Sequence, residues 1–368
     1  MTPAGRPALP PIDNETPALR RAWHVVATVE EVGDGPRQVW LLGEPWAVVR
    51  LDGELRAFVD RCPHRLAPIS AGRFCDGELQ CGYHGWTFAA DGTCTSMPPI
   101  GATERLPARA DLTPAWGVAE AYGLVWVAPE EPLCPLPEFP EWGAEGFDLI
   151  PTTFVRTAVS AGQLVDNFLD ASHFPYVHES TFGDPKAAEV HDDGIERDGW
   201  EVRTVFRTWY RNDDDPLVAT GEHEAVQPQD LLKQGSASCT VYLRLYFPVT
   251  GATLAILFMC APERNGSTRV YKLVARDDTA GDEAMIARTV DYEDLILAED
   301  LHILEAYTEM VLHLDLRAEV HTKADRLSVA WRRLLAEMVG LAAEQSVTEL
   351  PEVDVAVPAP SATPAPTP

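Results

Sequence analysis

Residues 62–86 read CPHRLAPISAGRFCDGELQCGYHGW, and this stretch decides what the N-terminal third of the chain is. Cys62-x-His64 and Cys81-x2-His84 are each close enough to grip one metal centre from a tight turn, while Cys75 stands outside both pairs. A structural zinc site usually pairs cysteine with cysteine and histidine with histidine. Here both arms are mixed. Mixed arms suit a [2Fe–2S] centre in which two thiolates hold one iron and two imidazoles the other, so that each loop gives one ligand to each iron. Zinc remains the alternative for a two-cysteine, two-histidine set. Pro63 stiffens the first loop, Gly82 and Gly85 let the backbone approach cluster sulfides where a Cβ would clash, and Tyr83 and Trp86 are expected to wall off solvent.

The spacing C-x-H, about sixteen residues, then C-x2-H, followed by WTFAADG at 86–92, resembles the Rieske domain. Such a module occupies only about the first third of a 368-residue chain, which is long enough for two domains with separate cores. No apolar run approaches the ~20 residues needed to cross a bilayer. The N-terminus has no apolar signal region, and Arg20-Arg21 lacks the apolar stretch of a twin-arginine signal, so the cytoplasm is the expected compartment. A net charge of −28, from 57 acidic against 29 basic side chains, repels phosphate backbones and anionic membranes. Nucleic acid and membrane are therefore not expected partners. The acidity serves solubility or offers an acidic face to an electron donor. Seven cysteines without regular spacing argue against a disulfide framework, and Cys94, Cys134, Cys239 and Cys260 are expected to be reduced.

Along the chain, residues 1–18 and the Pro/Ala-rich tail 346–368 read as disordered. Residues 19–135 carry short β runs broken by turns, including the hairpin signal LDGELRAFV, and form the first domain. PEEPLCPLPEFPEW, 129–142, with five prolines, reads as an extended linker. Residues 136–345 form the second domain. Its strands are expected near WEVRTVFRTWY, ASCTVYLRLYFP, ATLAILFMCAP and STRVYKLVARD, with a long helix over about 282–310 lying against the sheet and another over about 325–344.

The second informative stretch is NFLDASHFPYVHE, 167–179. Asn167, Asp170 and His173 are spaced by three, which on a helix puts them along one face. His178 can join His173 on one metal only if the helix ends between them, and Pro175 is the expected break. Two histidines need a carboxylate to make the 2-His-1-carboxylate triad, which leaves open positions on a ferrous ion. Asp300 in LAEDLHILEAY is the candidate, with Glu299, Asp294 and His302 as competitors. Phe206, Trp209, Tyr246 and Phe258 are expected either to line an apolar pocket or to be ordinary core.

A Rieske motif near residue 70 followed about ninety residues later by D-x2-H-x4-H resembles the oxygenase component of the Rieske non-haem iron oxygenases, over about residues 20–345. That resemblance implies an α+β chain: an all-β Rieske [2Fe–2S] domain, then a helix-grip catalytic domain with an antiparallel sheet and a long C-terminal helix. It makes Cys62, His64, Cys81 and His84 the cluster ligands, and His173 and His178 ligands of a mononuclear Fe(II). Asp300, in the E-D-x4-E context that ends at Glu305, matches the late carboxylate ligand. Asp170 matches an aspartate that links a cluster histidine of one subunit to an iron-ligating histidine of its neighbour in a homotrimer, with Asn167 the other candidate catalytic side chain. The electrons are expected from a separate NAD(P)H-dependent reductase, with or without a ferredoxin, since no glycine fingerprint for a dinucleotide follows a strand here. The chain resembles the monooxygenase and demethylase branch, including vanillate and dicamba O-demethylases, so hydroxylation or oxidative demethylation of a small aromatic or cyclic substrate with O2 is expected. The alternatives are cis-dihydroxylation, an electron carrier with an inactive second domain, and a zinc-stabilised binding module.

Overall fold

The computed structural model describes residues 10–340 apart from 34, 102–104, 191–193 and 213–214. The first domain is built from β1 (His24–Thr28), α1 (Val29–Val32), β2 (Arg37–Leu41), β3 (Glu44–Leu51), β4 (Glu54–Val59), β5 (Arg73–Cys75), β6 (Glu78–Gln80), β7 (Thr87–Phe88), β8 (Cys94–Ser96), β9 (Gly117–Ala121) and β10 (Leu124–Ala128). They make three antiparallel sheets in the orders β1-β10-β9, β2-β3-β4 and β5-β6-β7-β8. Several tight turns share one device. Leu42-Gly43, Asp52-Gly53, Asp76-Gly77 and Tyr122-Gly123 all have positive φ at both residues, the geometry that joins two strands by a two-residue loop.

The second domain adds β11 (Asp148–Ile150), β12 (Val155–Thr157), α2 (Ala161–Leu169), α3 (Phe174–Val177), β13 (Glu196–Asp198), β14 (Glu201–Arg211), α4 (Pro216–Thr220), β15 (Val226–Ser236), β16 (Thr240–Phe247), β17 (Ala252–Arg264), β18 (Ser267–Arg276), α5 (Glu283–Leu304) and α6 (Arg326–Met338). Its sheet runs β11-β18-β17-β16-β15-β14-β13, with β12 also on β18. β17 is buried on both faces. Leu254, Ile256 and Phe258 point into the core under the helices, while Ala255, Leu257 and Met259 pack on Val25 and Trp126 of the first domain. This double burial explains why ATLAILFMCAP is a continuous apolar run and not an alternating one.

Three expectations change. The N-terminal segment is not disordered over residues 10–18: Ile12 pairs with Leu312, and the buried Asn14 amide donates to Thr268 Oγ1 at 2.8 Å while its Oδ1 accepts from the Ala161 amide at 2.8 Å. Two anchors hold a segment whose overall composition has no periodicity. Residues 1–9 and the tail 346–368 lie outside the described residues. The linker is extended but packed, because Phe139 is buried against Tyr122 and Tyr242, and Glu141 accepts from the Tyr242 hydroxyl at 2.8 Å. The long helix ends at Leu304, six residues before the expected end at 310, where Glu305 turns to accept from the Thr157 hydroxyl at 2.8 Å. The last helix ends at Met338, and positions 341–344 of its expected span lie outside the described residues.

Candidate metal centres and the cavity over the sheet

α2 begins with a capping box, Ser160 with Gln163, and ends at Leu169 with Asp170 as its C-cap. The Asp170 carboxylate then organises the next turn. Its Oδ1 accepts from the Ser172 amide (3.1 Å) and hydroxyl (2.6 Å), and its Oδ2 accepts from the His173 amide at 2.9 Å and lies 2.8 Å from His173 Nδ1. An aspartate that bonds its own backbone two or three residues on is a turn former. The break therefore falls at Asp170, before His173, and not at Pro175. Asn167 and His173 do not share one helix. Pro175 sits in the first turn of α3, where its missing N–H costs nothing. α3 lasts four residues and delivers His178 at its C-cap.

Both imidazoles are held by a carboxylate on Nδ1: His173 by Asp170, and His178 by Glu299 Oε2 at 2.8 Å. With Nδ1–H donated in each ring, both Nε2 atoms carry lone pairs. Each Nε2 lies 3.4 Å from the same atom, Asp300 Oδ1. The three donors lie within 4.8 Å of one another. Asp300 Oδ1 is buried without a hydrogen-bond partner, which is costly unless a cation completes it. Burial pushes the Asp300 carboxyl upward, yet His173 and His178, whenever protonated on Nε2, outweigh it and hold it well below the usual carboxylate range. Two neutral nitrogens and one carboxylate oxygen facing a cavity fit a divalent ion of the ferrous kind. Of the competitors, Glu299 orients His178, Asp294 lies toward Lys272 and His302 is exposed.

The cluster loops are two matching turns. Leu66 N–H donates to the Cys62 carbonyl at 2.9 Å, and Gly85 N–H donates to the Cys81 carbonyl at 3.1 Å, with positive φ at both Leu66 and Gly85. Gly82 has a different reason to be glycine, since a Cβ there would lie 2.8 Å from the Ala71 carbonyl oxygen. Cys62 and Cys81 are buried. Burial, followed by the nearby Cys81 thiol, pushes the Cys62 thiol up to about 11, so an unmetallated thiolate is disfavoured there. The His64 and His84 rings lie 4.4 Å apart between centroids, and His64 Nδ1 is buried without a partner. Two buried thiols and two adjacent imidazoles, one with an orphaned nitrogen, fit the mixed-ligand cluster. Trp86 stacks on His64 at 4.7 Å, but Tyr83 does not seal the site: it lies on His84 and is 66% exposed, and Leu66 in the other loop is 67% exposed.

Residues 22–108 match the Rieske [2Fe-2S] domain, and residues 158–341 match the vanillate O-demethylase oxygenase C-terminal domain. The chain belongs to the Rieske non-haem iron oxygenases. It is 28% identical over 339 residues to methylxanthine N1-demethylase NdmA of Pseudomonas putida, covering 89% of this chain and 91% of that one. The solved structure of Pseudomonas putida CBB5 NdmA with caffeine is similar at a TM-score of 0.75, 26% identity, and 90% and 94% coverage. Dicamba monooxygenase bound to dicamba shares the fold at a TM-score of 0.70 and 22% identity, covering 89% and 99%. As a Rieske oxygenase of the demethylase branch, the protein is an oxidoreductase whose cofactors are a Rieske cluster and a mononuclear non-haem iron. Among the described residues no helix is long and apolar enough to cross a membrane.

In this Rieske oxygenase the three donors border a cavity of about 980 Å³. Its floor is the inner face of β15, β16 and β17, with Leu231, Leu243, Leu245, Leu254 and Ile256, and α5 forms one wall. The four aromatic residues considered for it from sequence do not line it. Trp209 and Tyr246 are exposed, and Phe206 and Phe258 are core, Phe258 stacked on Phe168 at 4.3 Å. Lys233 and Glu299 are the functional neighbours that sequence reasoning missed or misassigned. Lys233 is 0% exposed; its Nζ donates to the carbonyls of Phe168 (2.9 Å) and Asp170 (2.6 Å) and lies 4.4 Å from the Phe174 ring centroid. A cation there caps the C-terminal carbonyls of α2, the electronegative end of that helix. It ties down the turn that carries Asp170 and His173.

Proposed function

We propose that this oxygenase removes a methyl group oxidatively from a ring-borne oxygen or nitrogen, or hydroxylates the corresponding C–H bond. In the demethylation, O2, two electrons and two protons convert R–X–CH3 to R–XH, formaldehyde and water. Residues 19–135 receive electrons through a cluster on Cys62, His64, Cys81 and His84. Residues 136–345 carry the iron on His173, His178 and Asp300. The observation that carries the reading is the pair of Nε2 atoms converging with the unpartnered Asp300 Oδ1 beside the cavity. The relatives named demethylases support the demethylation branch.

When bound, the two metal groups supply electron transfer and dioxygen activation. The chain does the rest. Asp170 and Glu299 hold each imidazole in the tautomer that presents Nε2. The apolar floor orients the substrate and excludes water. Asp170 keeps 20% of its side chain exposed, and the two cluster loops carry the exposed Leu66 and Tyr83. Both features support a closed head-to-tail homotrimer in which a neighbour's cluster meets Asp170. A separate NAD(P)H-dependent reductase, directly or through a ferredoxin, is the proposed donor, and the free buried cysteines support work in the reducing cytoplasm.

The test is iron and acid-labile sulfide per chain with EPR of the reduced protein, before and after nitric oxide, in the parent and in Asp170→Asn. The expected parent shows a Rieske signal and a high-spin ferrous nitrosyl. The variant keeps both signals and loses turnover about 10–100-fold or more. A parent without the nitrosyl species overturns the iron assignment, and full turnover in Asp170→Asn overturns the role of Asp170.

A further inference from the structure

The cavity is much longer than one substituted ring. Asp300 and Met285 both line it and both belong to α5. Fifteen positions of α-helix separate them, about 22 Å at the usual rise. The sheet floor keeps pace, from Leu243 in β16 past Phe247 to Thr250 at its far end. A volume of about 980 Å³ stands at the top of the range, about 300–1,000 Å³, in which drug-sized ligands are enclosed.

The lining changes character along this length. Beside Asp300 it combines Phe168, Phe174, Ile256 and Ile296 with the polar Asn167 and Thr181, and midway it is Leu231, Leu245 and Leu254. Toward the far end come Thr250, Asp278, Arg288 and the guanidinium of Arg276, which reaches Thr289. Arg276 is already committed, donating to Asp278 at 2.8 Å through both Nε and Nη2 and to Thr289 Oγ1 at 3.2 Å. Arg288 has no ion-pair partner among the described residues, and its long side chain is exposed at the mouth. A single small ring held at the iron end would leave the middle and far thirds to water, against the exclusion that oxygen chemistry needs.

We infer that the substrate is an elongated, mainly apolar molecule of two or more linked or fused rings, with its reacting methyl at the iron end and a polar group at the far end facing Arg288. The inference rests on the proposed oxygenase reading and adds the size class of the substrate. Contacts along the apolar floor, remote from the reacting carbon, then supply the binding that holds the methyl in place. Burying one further ring against Leu231, Leu245 and Leu254 is worth about ten- to a hundredfold in affinity.

The experiment compares 4-methoxybenzoate with 4′-methoxybiphenyl-4-carboxylate on the iron-loaded protein. Binding is read by calorimetry, which does not require iron, and by change in the ferrous nitrosyl EPR spectrum. The two-ring acid is expected to bind about ten- to a hundredfold more tightly. That advantage is expected to fall below about threefold in Leu254→Trp, which fills the middle of the cavity from the sheet, and in Met285→Trp, which fills its far end from the helix. Equal or weaker binding of the two-ring acid in the parent, or an advantage that survives in whichever variants fold, overturns the inference. A calorimetric advantage without any nitrosyl signal leaves the inference standing and overturns the iron assignment; a nitrosyl signal without the advantage does the reverse.

Discussion

Lys233→Met tests whether the buried ammonium is a structural cation. Burial lowers the Lys233 amine from 10.5 to about 7, against the upward pull of Asp170 and Asp300. In the unfolded chain it titrates near its ordinary value, so between about 7 and 10.5 the unfolded state holds a proton that the folded state has released. The sign follows: stability contributed through this group rises with pH across that window, and below about 7 the folded state carries the whole cost of the buried charge. A shift of this size corresponds to about 5 kcal/mol, of which about 3 kcal/mol is recovered by about pH 9. Methionine removes that cost but leaves the Phe168 and Asp170 carbonyls without their donor, at about 1–3 kcal/mol each. The two effects nearly offset one another at about pH 6, and at about pH 9 the variant is worse off by a further ~3 kcal/mol. In thermal unfolding of the catalytic domain, the gap between parent and variant should widen by about 6–12 °C from the lower to the higher pH. A gap that stays constant refutes the reasoning, because it would mean that Lys233 does not change its charge in this interval.

Glu299→Gln removes the carboxylate that holds His178 Nδ1, and is expected to weaken iron retention about 10–100-fold while the cluster stays intact. Iron left after dialysis against a chelator measures it, and parental retention would remove Glu299 from the site. Arg332→Met breaks a buried pair, since Arg332 donates to both Asp166 oxygens at 2.7 and 2.6 Å. Stranding Asp166 should cost about 3–5 kcal/mol, seen as a lowered unfolding midpoint that Asp166→Asn partly restores; an unchanged midpoint would show that the pair is not holding α2 to α6.

The legibility of the two metal sites differs for a physical reason. Each cluster arm is a turn of a few residues, so spacing alone puts Cys62 near His64 and Cys81 near His84, and the fold adds only the meeting of two loops. His173 and His178 are likewise local, although the turn between helices forms at Asp170, whose side chain writes its own turn, and not at the more conspicuous proline. Asp300 was one of several acidic or imidazole neighbours until α5 lay on the sheet. Lys233 was invisible because β15 itself was not read as a strand: its core-facing positions are Gln227, Gln229, Leu231 and Lys233, mostly polar where alternation leads one to look for apolar residues. Those polar groups are tolerated inside because helix ends and neighbouring side chains satisfy them.

By itself, then, the sequence determined the chemistry of the donors, the two-part α+β organisation and the family resemblance, because these rest on residue type and short spacing. Only the tertiary structure decided which carboxylate faces the two imidazoles, which orients them and how long the cavity beside them is. Those are distances between segments more than a hundred residues apart, such as His178 to Glu299, and they are set by how α5 and α2 pack on one sheet. No local pattern carries that information.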